Sequence, residues 1–265
     1  MTQFNYMSDL HLEFGALDED LTKFTGQYLL LAGDITLLNA LNPTKTDKDN
    51  RKLRNRTHAF FDIVTQNFEK VFYITGNHES YSSDILKEKE IVNTYLPKVH
   101  FLENESIELE NDIVLYGSTL WTSLNDNNPN DVMRVSTILN DFRQIFYGKR
   151  LFTPTDFIHF HNKGLYELKK TLKNYENKKI VVMTHHSPCH LGLSDIRSNP
   201  YYDSAYYTDL SNIMLNYENL LHWVHGHTHV QKEYEVGHTK VYSNARGYKN
   251  IEVNKTFSLN KSFFV

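Results

Sequence analysis

The sequence predicts an α/β protein with open β-sheets, and three observations carry that reading. Five short apolar runs, rich in Val, Ile, Leu and aromatics, have the length and composition of buried strands. Longer stretches between them place apolar residues at helical spacing. Each of the five runs also stops abruptly at Asp, His or Asn. In open α/β sheets, ligands collect in the crevice beyond the carboxyl ends of the strands. The five run ends are therefore expected to pool their side chains in one place.

The elements follow in chain order. Phe4-Asn5-Tyr6-Met7 leads into Ser8-Asp9-Leu10-His11, and Leu29-Leu30-Leu31-Ala32 leads into Gly33-Asp34. Ala59, Phe60, Ile63, Val64 and Phe68 mark one face of a helix. Val71-Phe72-Tyr73-Ile74 is the third run and leads into Thr75-Gly76-Asn77-His78-Glu79. Ile85, Lys89, Val92 and Leu96 return to helical spacing with one polar break. Glu110-Asn111-Asp112, set between apolar segments 107–109 and 113–117, reads as a hairpin. Thr153-Pro154-Thr155-Asp156 opens a long helix to about Lys173, with Thr as N-cap and Pro in the first turn. Val181-Val182-Met183 then runs into Thr184-His185-His186, and Trp223-Val224 into His225-Gly226-His227-Thr228-His229. At 265 residues and 40% hydrophobic content the chain can bury a substantial core, and one domain over 1–265 is expected.

The pooled set is Asp9, His11, Asp34, Asn77, His185, His227 and His229. Seven oxygen and imidazole donors exceed the four that a tetrahedral zinc takes. They suit two ions about 3.5–4 Å apart, which clamp the attacking and leaving oxygens of an in-line phosphoryl displacement. Asp34, with two oxygens, is the natural bridge. The absence of Cys from the set argues against a thiolate zinc or an iron–sulfur cluster. Each fragment alone is weak, but all occur in order and each follows a strand-like run, which chance does not supply.

In these blocks the chain resembles the calcineurin-like metallophosphoesterases, and most closely their small bacterial and phage members; the blocks span residues 9 to 229. The resemblance implies a four-layer α/β/β/α sandwich, two mixed sheets face to face with helices outside. It implies one metal held by Asp9, His11, Asp34 and His229, and a second by Asp34, Asn77, His185 and His227. His78 falls where the family keeps a non-ligand histidine that supports the phosphate or protonates the leaving group. The expected reaction is hydrolysis of a phosphomonoester or phosphodiester by hydroxide held between the two ions, whose pKa is drawn toward neutrality. The oxygen-rich mixed set points first to Mn²⁺, with Fe, Zn, Ni and Co open.

Neighbours of the ligands carry softer expectations. Adjacent strand residues face opposite sides, so His186 and His225 are read as flanking structure or substrate contact. Asn244-Ala245-Arg246-Gly247-Tyr248 is similar to a segment that often closes such proteins, which makes Arg246 a phosphate contact or a surface ion pair. Glu79 is read as support for the ligands, and Cys189 as a small buried filler. Segments 38–55, 124–151 and 192–210 fit neither period and are expected to form the substrate rim. Ile35-Thr36-Leu37-Leu38 lacks the acidic-Arg-Gly continuation of the protein serine/threonine phosphatase branch. Leu37 also stands where purple acid phosphatases place a tyrosine ligand. Only 36 residues follow His229 (265 − 229), short of the repair-nuclease architecture.

The net charge of −4 gives no general attraction to nucleic acid or anionic membrane. A local exception is 45–56, six basic residues in twelve, either a grip for a polyanionic substrate or a solvated lead-in to the next helix. With 17 Tyr and 16 Phe, it keeps a nuclease or cyclic-nucleotide phosphodiesterase as the alternative within enzymes. A non-catalytic metal-binding interaction module is the alternative from another class; such proteins lose ligands, and here every position is filled. No run approaches the roughly 18 apolar residues of a membrane span, and the N-terminus lacks a signal-peptide pattern. A single Cys suits a reducing compartment. A cytoplasmic enzyme acting on a phosphate ester, without membrane or obligate protein partner, is expected.

Overall fold

The computed structural model describes residues 1–194 and 199–265. The first half comprises β1 (Gln3–Met7), β2 (Gly26–Ala32), α1 (Lys48–Asn67), β3 (Phe68–Ile74), α2 (Glu88–Tyr95) and β4 (His100–Phe101). Next come β5 (Glu105–Glu108), β6 (Ile113–Ser118), α3 (Pro129–Ile138), α4 (Pro154–Asn174) and β7 (Lys179–Thr184). The chain closes with α5 (Ser211–Asn216), β8 (Leu220–His225), β9 (Gln231–Val236), β10 (Thr239–Asn244) and β11 (Ser262–Phe264). Among the described residues, no helix is long and apolar enough to cross a membrane.

Two mixed sheets organise the molecule. One has five strands in the order β11-β1-β2-β3-β4, parallel except for β11. The other has six in the order β9-β10-β8-β7-β6-β5, with a parallel centre and antiparallel edges. Side-chain alternation along the strands sorts the layers. Leu29, Leu31, Val71 and Tyr73 pack under Phe60, Phe61 and Val64 of α1 and Val92 of α2. Their neighbours Tyr28, Leu30, Phe72 and Ile74 instead meet Leu115, Val181, Met183 and Val224 across the seam between the sheets. On the far side, Val114, Tyr116, Val182 and Trp223 pack on Leu168 and Leu172 of α4 and Met214 of α5. The order is helix, sheet, sheet, helix. Strands covered on both faces read as continuous apolar runs, which is why the five stood out.

Local details refine the expectations. The α4 start is a capping box, in which Asp156 N donates to Thr153 Oγ1 and Asp156 Oδ2 accepts from Thr153 N. In the α2 region the buried face is Ile85, Glu88, Val92 and Leu96, whereas Lys89 is exposed and paired with Glu105. Glu88 tolerates burial because Thr75 and Ser80 hydroxyls donate to its carboxylate. The basic stretch 45–56 is mostly the opening of α1, capped by Asp47. Two of its cations are taken up by backbone carbonyls, Arg54 at Ala40 and Lys45 and Arg56 at Leu12.

Candidate metal centre

The motif-bearing strands β1, β2, β3, β7 and β8 all lie inside the sheets, and their carboxyl ends meet across the seam. Beyond the strand the backbone turns left-handed at Asp9 (φ 52°), His11 (45°), Asp34 (54°), His227 (66°) and His229 (50°). Non-glycine residues seldom adopt this region, and such strain clusters at functional sites. Two glycines make the approach of these loops possible. A Cβ on Gly33 would sit 2.5 Å from His185 Nδ1, and one on Gly76 would collide with the Asp34 carboxylate.

The side chains form two adjoining clusters. In the first, Asp9, His11 and His229 bring one ligand atom each within 4.8 Å of one another. His11 Nε2 lies 3.1 Å from His229 Nε2, and His229 Nε2 lies 3.4 Å from Asp9 Oδ1. In the second, Asp34, His185 and His227 converge within the same limit. His185 Nε2 lies 3.2 Å from His227 Nδ1, 3.2 Å from Asn77 Oδ1 and 3.5 Å from Asp34 Oδ2. Asp34 Oδ2 is also 3.6 Å from His11 Nε2, so this carboxylate touches both clusters. His78 joins His11 and Asp34 in a third, overlapping group.

The protonation pattern fits cations. His185 Nδ1 donates to the Ala32 carbonyl (2.9 Å) and His11 Nδ1 to Glu13 (3.1 Å). A neutral ring that donates from Nδ1 keeps a lone pair on Nε2. Without ions, burial is outweighed by Asp34 and Asp9, which raise the His185 pKa to about 10, so its ring carries a proton toward Asp34, a place that a divalent ion would take over. The donor set fits the two ions. Against the upward push of burial, the His185, His78 and His11 charges hold the Asp34 carboxyl well below its usual range. His229 lowers the Asp9 carboxyl too, again against burial. Burial and the neighbouring His186 and His185 push His227 well below the ordinary imidazole value, favouring the neutral form a ligand needs.

Supporting residues fix these groups. Glu79 accepts from the backbone N–H of Asp34 (2.9 Å), Ile35 (2.7 Å), Thr36 (3.3 Å) and Gly76 (2.7 Å), and from the Tyr73 hydroxyl (2.8 Å). It thereby ties the two loops that carry Asp34 and Asn77. Asn77 Nδ2 donates to Tyr81 (3.1 Å), which donates to Asp141 (3.2 Å), leaving Asn77 Oδ1 for the cluster. Both Asp9 oxygens accept from His227 N, at 3.0 and 3.1 Å. The His78 ring stacks on Tyr81 with centroids 4.3 Å apart and faces the cavity. Burial lowers its basicity, but Asp34 and Glu13 outweigh that and raise it to about 9.

Two expectations are corrected. Arg246 is neither a phosphate contact nor a surface ion pair: it is 2% exposed and donates to the carbonyls of Leu10 (2.9 Å), Gly15 (3.3 Å) and Ala16 (2.8 Å). These three bonds all go to carbonyls of one loop, so it fastens the loop that follows Asp9. His186 is not a substrate contact, because it is buried behind His227 with ring centroids 4.2 Å apart and donates to Thr119 O at 3.2 Å. It is flanking structure. His225 likewise donates to Gly226 O and meets Tyr234, and Cys189 is buried beside the same tyrosine.

A cavity of about 710 Å³ opens over the clusters. Segment 124–151 lines it with Ile138, Leu139, Asn140, Asp141 and Gln144. Segment 192–210 adds Leu193, Ser194, Asp203 and Tyr206, while its residues 195–198 lie outside the described ones. No residue of 38–55, and so none of the basic stretch, is among the lining residues; Leu37 is the nearest. Glu13 and Tyr81 line the cavity without any signal in the sequence. Tyr248 also lines it, two positions from the arginine that the same segment suggested.

A family model for calcineurin-like phosphoesterases matches residues 3–231. The uncharacterized protein L509 of Acanthamoeba polyphaga mimivirus is 29% identical over 280 residues, covering 94% of this chain and 92% of its own. Among solved structures, phosphopantetheinyl hydrolase from Mycobacterium tuberculosis superposes with a TM-score of 0.71 at 16% identity, over 93% of this chain and 90% of that one. A dimetal phosphatase from Danio rerio gives a TM-score of 0.53 at 10% identity, over 91% and 86%. Both likenesses are of fold.

Proposed function

The chain belongs to the calcineurin-like phosphoesterase family, and from that premise we propose that it is a binuclear metal-dependent phosphoester hydrolase. The observation that carries the reading is the convergence of ring nitrogens and two carboxylates on adjoining points beneath one cavity. Asp9, His11, Asp34 and His229 would hold one ion, and Asp34, Asn77, His185 and His227 the other. Bound there, two divalent cations, Mn²⁺ first among them, would supply an activated water near neutral pH and neutralise charge on the phosphoryl oxygens.

The chain's own groups supply the rest. Asp34 spans both clusters and sets their separation. His78 stands at the cavity wall without being needed as a ligand, in reach of a leaving-group oxygen, and is assigned the proton transfer. The Asn77–Tyr81–Asp141 chain holds the amide oxygen toward the second cluster. Leu139, Tyr206 and Tyr248 line the cavity around these groups.

The test is to strip the protein, reload it with Mn²⁺, and compare p-nitrophenyl phosphate with bis-p-nitrophenyl phosphate, Asp34→Asn alongside. Metal-dependent turnover that the variant lacks supports the reading, and the preferred ester assigns monoester or diester chemistry. No metal-dependent turnover on either overturns it in favour of a binding module. The nuclease alternative has weaker support, because the basic stretch that suggested it lies away from the cavity lining.

A further inference from the structure

Glu13 follows His11 by two residues, and neither spacing nor periodicity distinguishes it from a surface carboxylate. In the folded chain it is largely buried, and a single oxygen does two things. Glu13 Oε1 accepts from His11 Nδ1 at 3.1 Å and from His78 Nδ1 at 3.0 Å. The two rings lie 4.4 Å apart between centroids, at 71°. One carboxylate oxygen therefore sets the orientation of a metal-ligand candidate and of the histidine assigned to proton transfer. Both rings must carry hydrogen on Nδ1, since a carboxylate only accepts. Both Nε2 atoms are left for work elsewhere. That of His11 faces His229, and that of His78 lies 3.3 Å from the Tyr248 hydroxyl at the cavity wall.

The loop that delivers Glu13 is itself secured. His11 N and Leu12 N donate to the carbonyls of Asp34 and Ile35, at 2.9 and 3.0 Å. Arg246 closes the other side through the carbonyls of Leu10, Gly15 and Ala16. A carboxylate held on so fixed a support, yet buried with its Oε1 shared between two histidines, is poorly explained by folding alone. Burying a charge costs free energy that an apolar residue would avoid.

We propose that Glu13 is the positioning residue that couples the first metal cluster to the proton-transfer histidine, by fixing the orientation of His11 and His78 through one shared oxygen. This rests on the hydrolase reading for its catalytic consequence, but not for its geometry. Outer partners of metal-bound histidines typically change affinity or activity by about 10–100-fold when removed.

The experiment uses the full chain, wild type, Glu13→Ala, Glu13→Gln and His78→Ala. In metal-free ¹⁵N-labelled protein, His11 and His78 are expected to show slowly exchanging ring N–H resonances at low field. Both should vanish in Glu13→Ala and persist in Glu13→Gln, whose amide oxygen still accepts. With Mn²⁺ loaded, Glu13→Ala should lower kcat by about 100-fold with little change in KM, and weaken Mn²⁺ binding by about tenfold. Glu13→Gln should recover kcat to within about tenfold of wild type. The double variant Glu13→Ala/His78→Ala should be no slower than His78→Ala alone, the sign of groups acting as a unit. Persistence of either resonance in Glu13→Ala, or fully multiplicative kinetics, would overturn the proposal. Should wild type hydrolyse neither ester, the hydrolase reading fails while the resonances still decide the role of Glu13. Unchanged far-UV circular dichroism is required of Glu13→Ala; if that variant unfolds, the Glu13→Gln resonances decide.

Discussion

The two sheets contribute to the centre in different chemical currencies. The five-stranded sheet supplies Asp9, His11, Asp34 and Asn77, the oxygen-rich half. The six-stranded sheet supplies His185, His227 and His229, imidazoles only. Their means of support differ as well. The carboxylates are held by backbone N–H groups, His227 N on Asp9 and His78 N on Asp34. The imidazole of His185 is held through its own ring N–H, by the Ala32 carbonyl of the opposite sheet. Asp9 and His185 are thus each held from the opposite sheet, whereas Asp34 is held from its own. The centre belongs to the seam.

The contrast can be broken at its bridge first. Asp34→Asn removes the one charge shared by both clusters; metal content should fall from two ions per chain to one or none, and kcat by about 10³-fold or more, read by elemental analysis and ester hydrolysis. His78→Ala, on the oxygen-rich side but outside the ligand set, should keep both ions and lower kcat by about 10²–10⁴-fold. Loss of metal from that variant would reassign His78 as a ligand. A subtler probe compares neighbours on β2. Leu29 packs under the helices and Leu30 across the seam, and both are fully buried. Either change to Ala should cost about 2–5 kcal/mol in urea unfolding. Only Leu30→Ala should also weaken Mn²⁺ binding, and equal effects on metal would deny the seam its role.

The smallest expected effect lies far from the centre, at the α4 cap. Arg150, by hydrogen bonding, and then Thr153 hold the Asp156 carboxyl down at about 2. A depressed acid contributes stability above its unfolded value near 4 and loses it as pH falls toward 2. Arg150 is half exposed, so solvent screening limits the contribution to about 1 kcal/mol. Arg150→Ala should therefore be less stable than wild type at pH 7 and converge with it by about pH 2 in denaturant melts. A gap that widens with acid would reverse the assignment.

What the sequence made legible was whatever is local. A buried parallel strand is a short apolar run, and its first candidate ligand comes within three residues of the strand end, so strand and chemistry are read together. The α4 cap is equally local, four consecutive residues. Glu13 and Arg246 were illegible for the opposite reason. Glu13 gains its meaning from His78, 65 positions away, and Arg246 from Leu10, 236 positions away. Nothing in either neighbourhood encodes those contacts. Lys89 was misplaced by one position because a buried glutamate, satisfied by two hydroxyls, looks polar to any periodicity argument. The basic stretch left a binding surface and a lead-in to a helix both open, and α1, with two of its arginines on backbone carbonyls, matches the lead-in.

Five of the seven residues assigned to the ions sit in a backbone conformation that their own side chains disfavour. Glycine would occupy each of those positions without steric penalty. A chain with His229 changed to glycine should consequently shed that torsional strain, even as it loses metal. Selection for stability alone would drift toward glycine at these places. Their present occupants are a record of work performed, written in torsion angles rather than in charge.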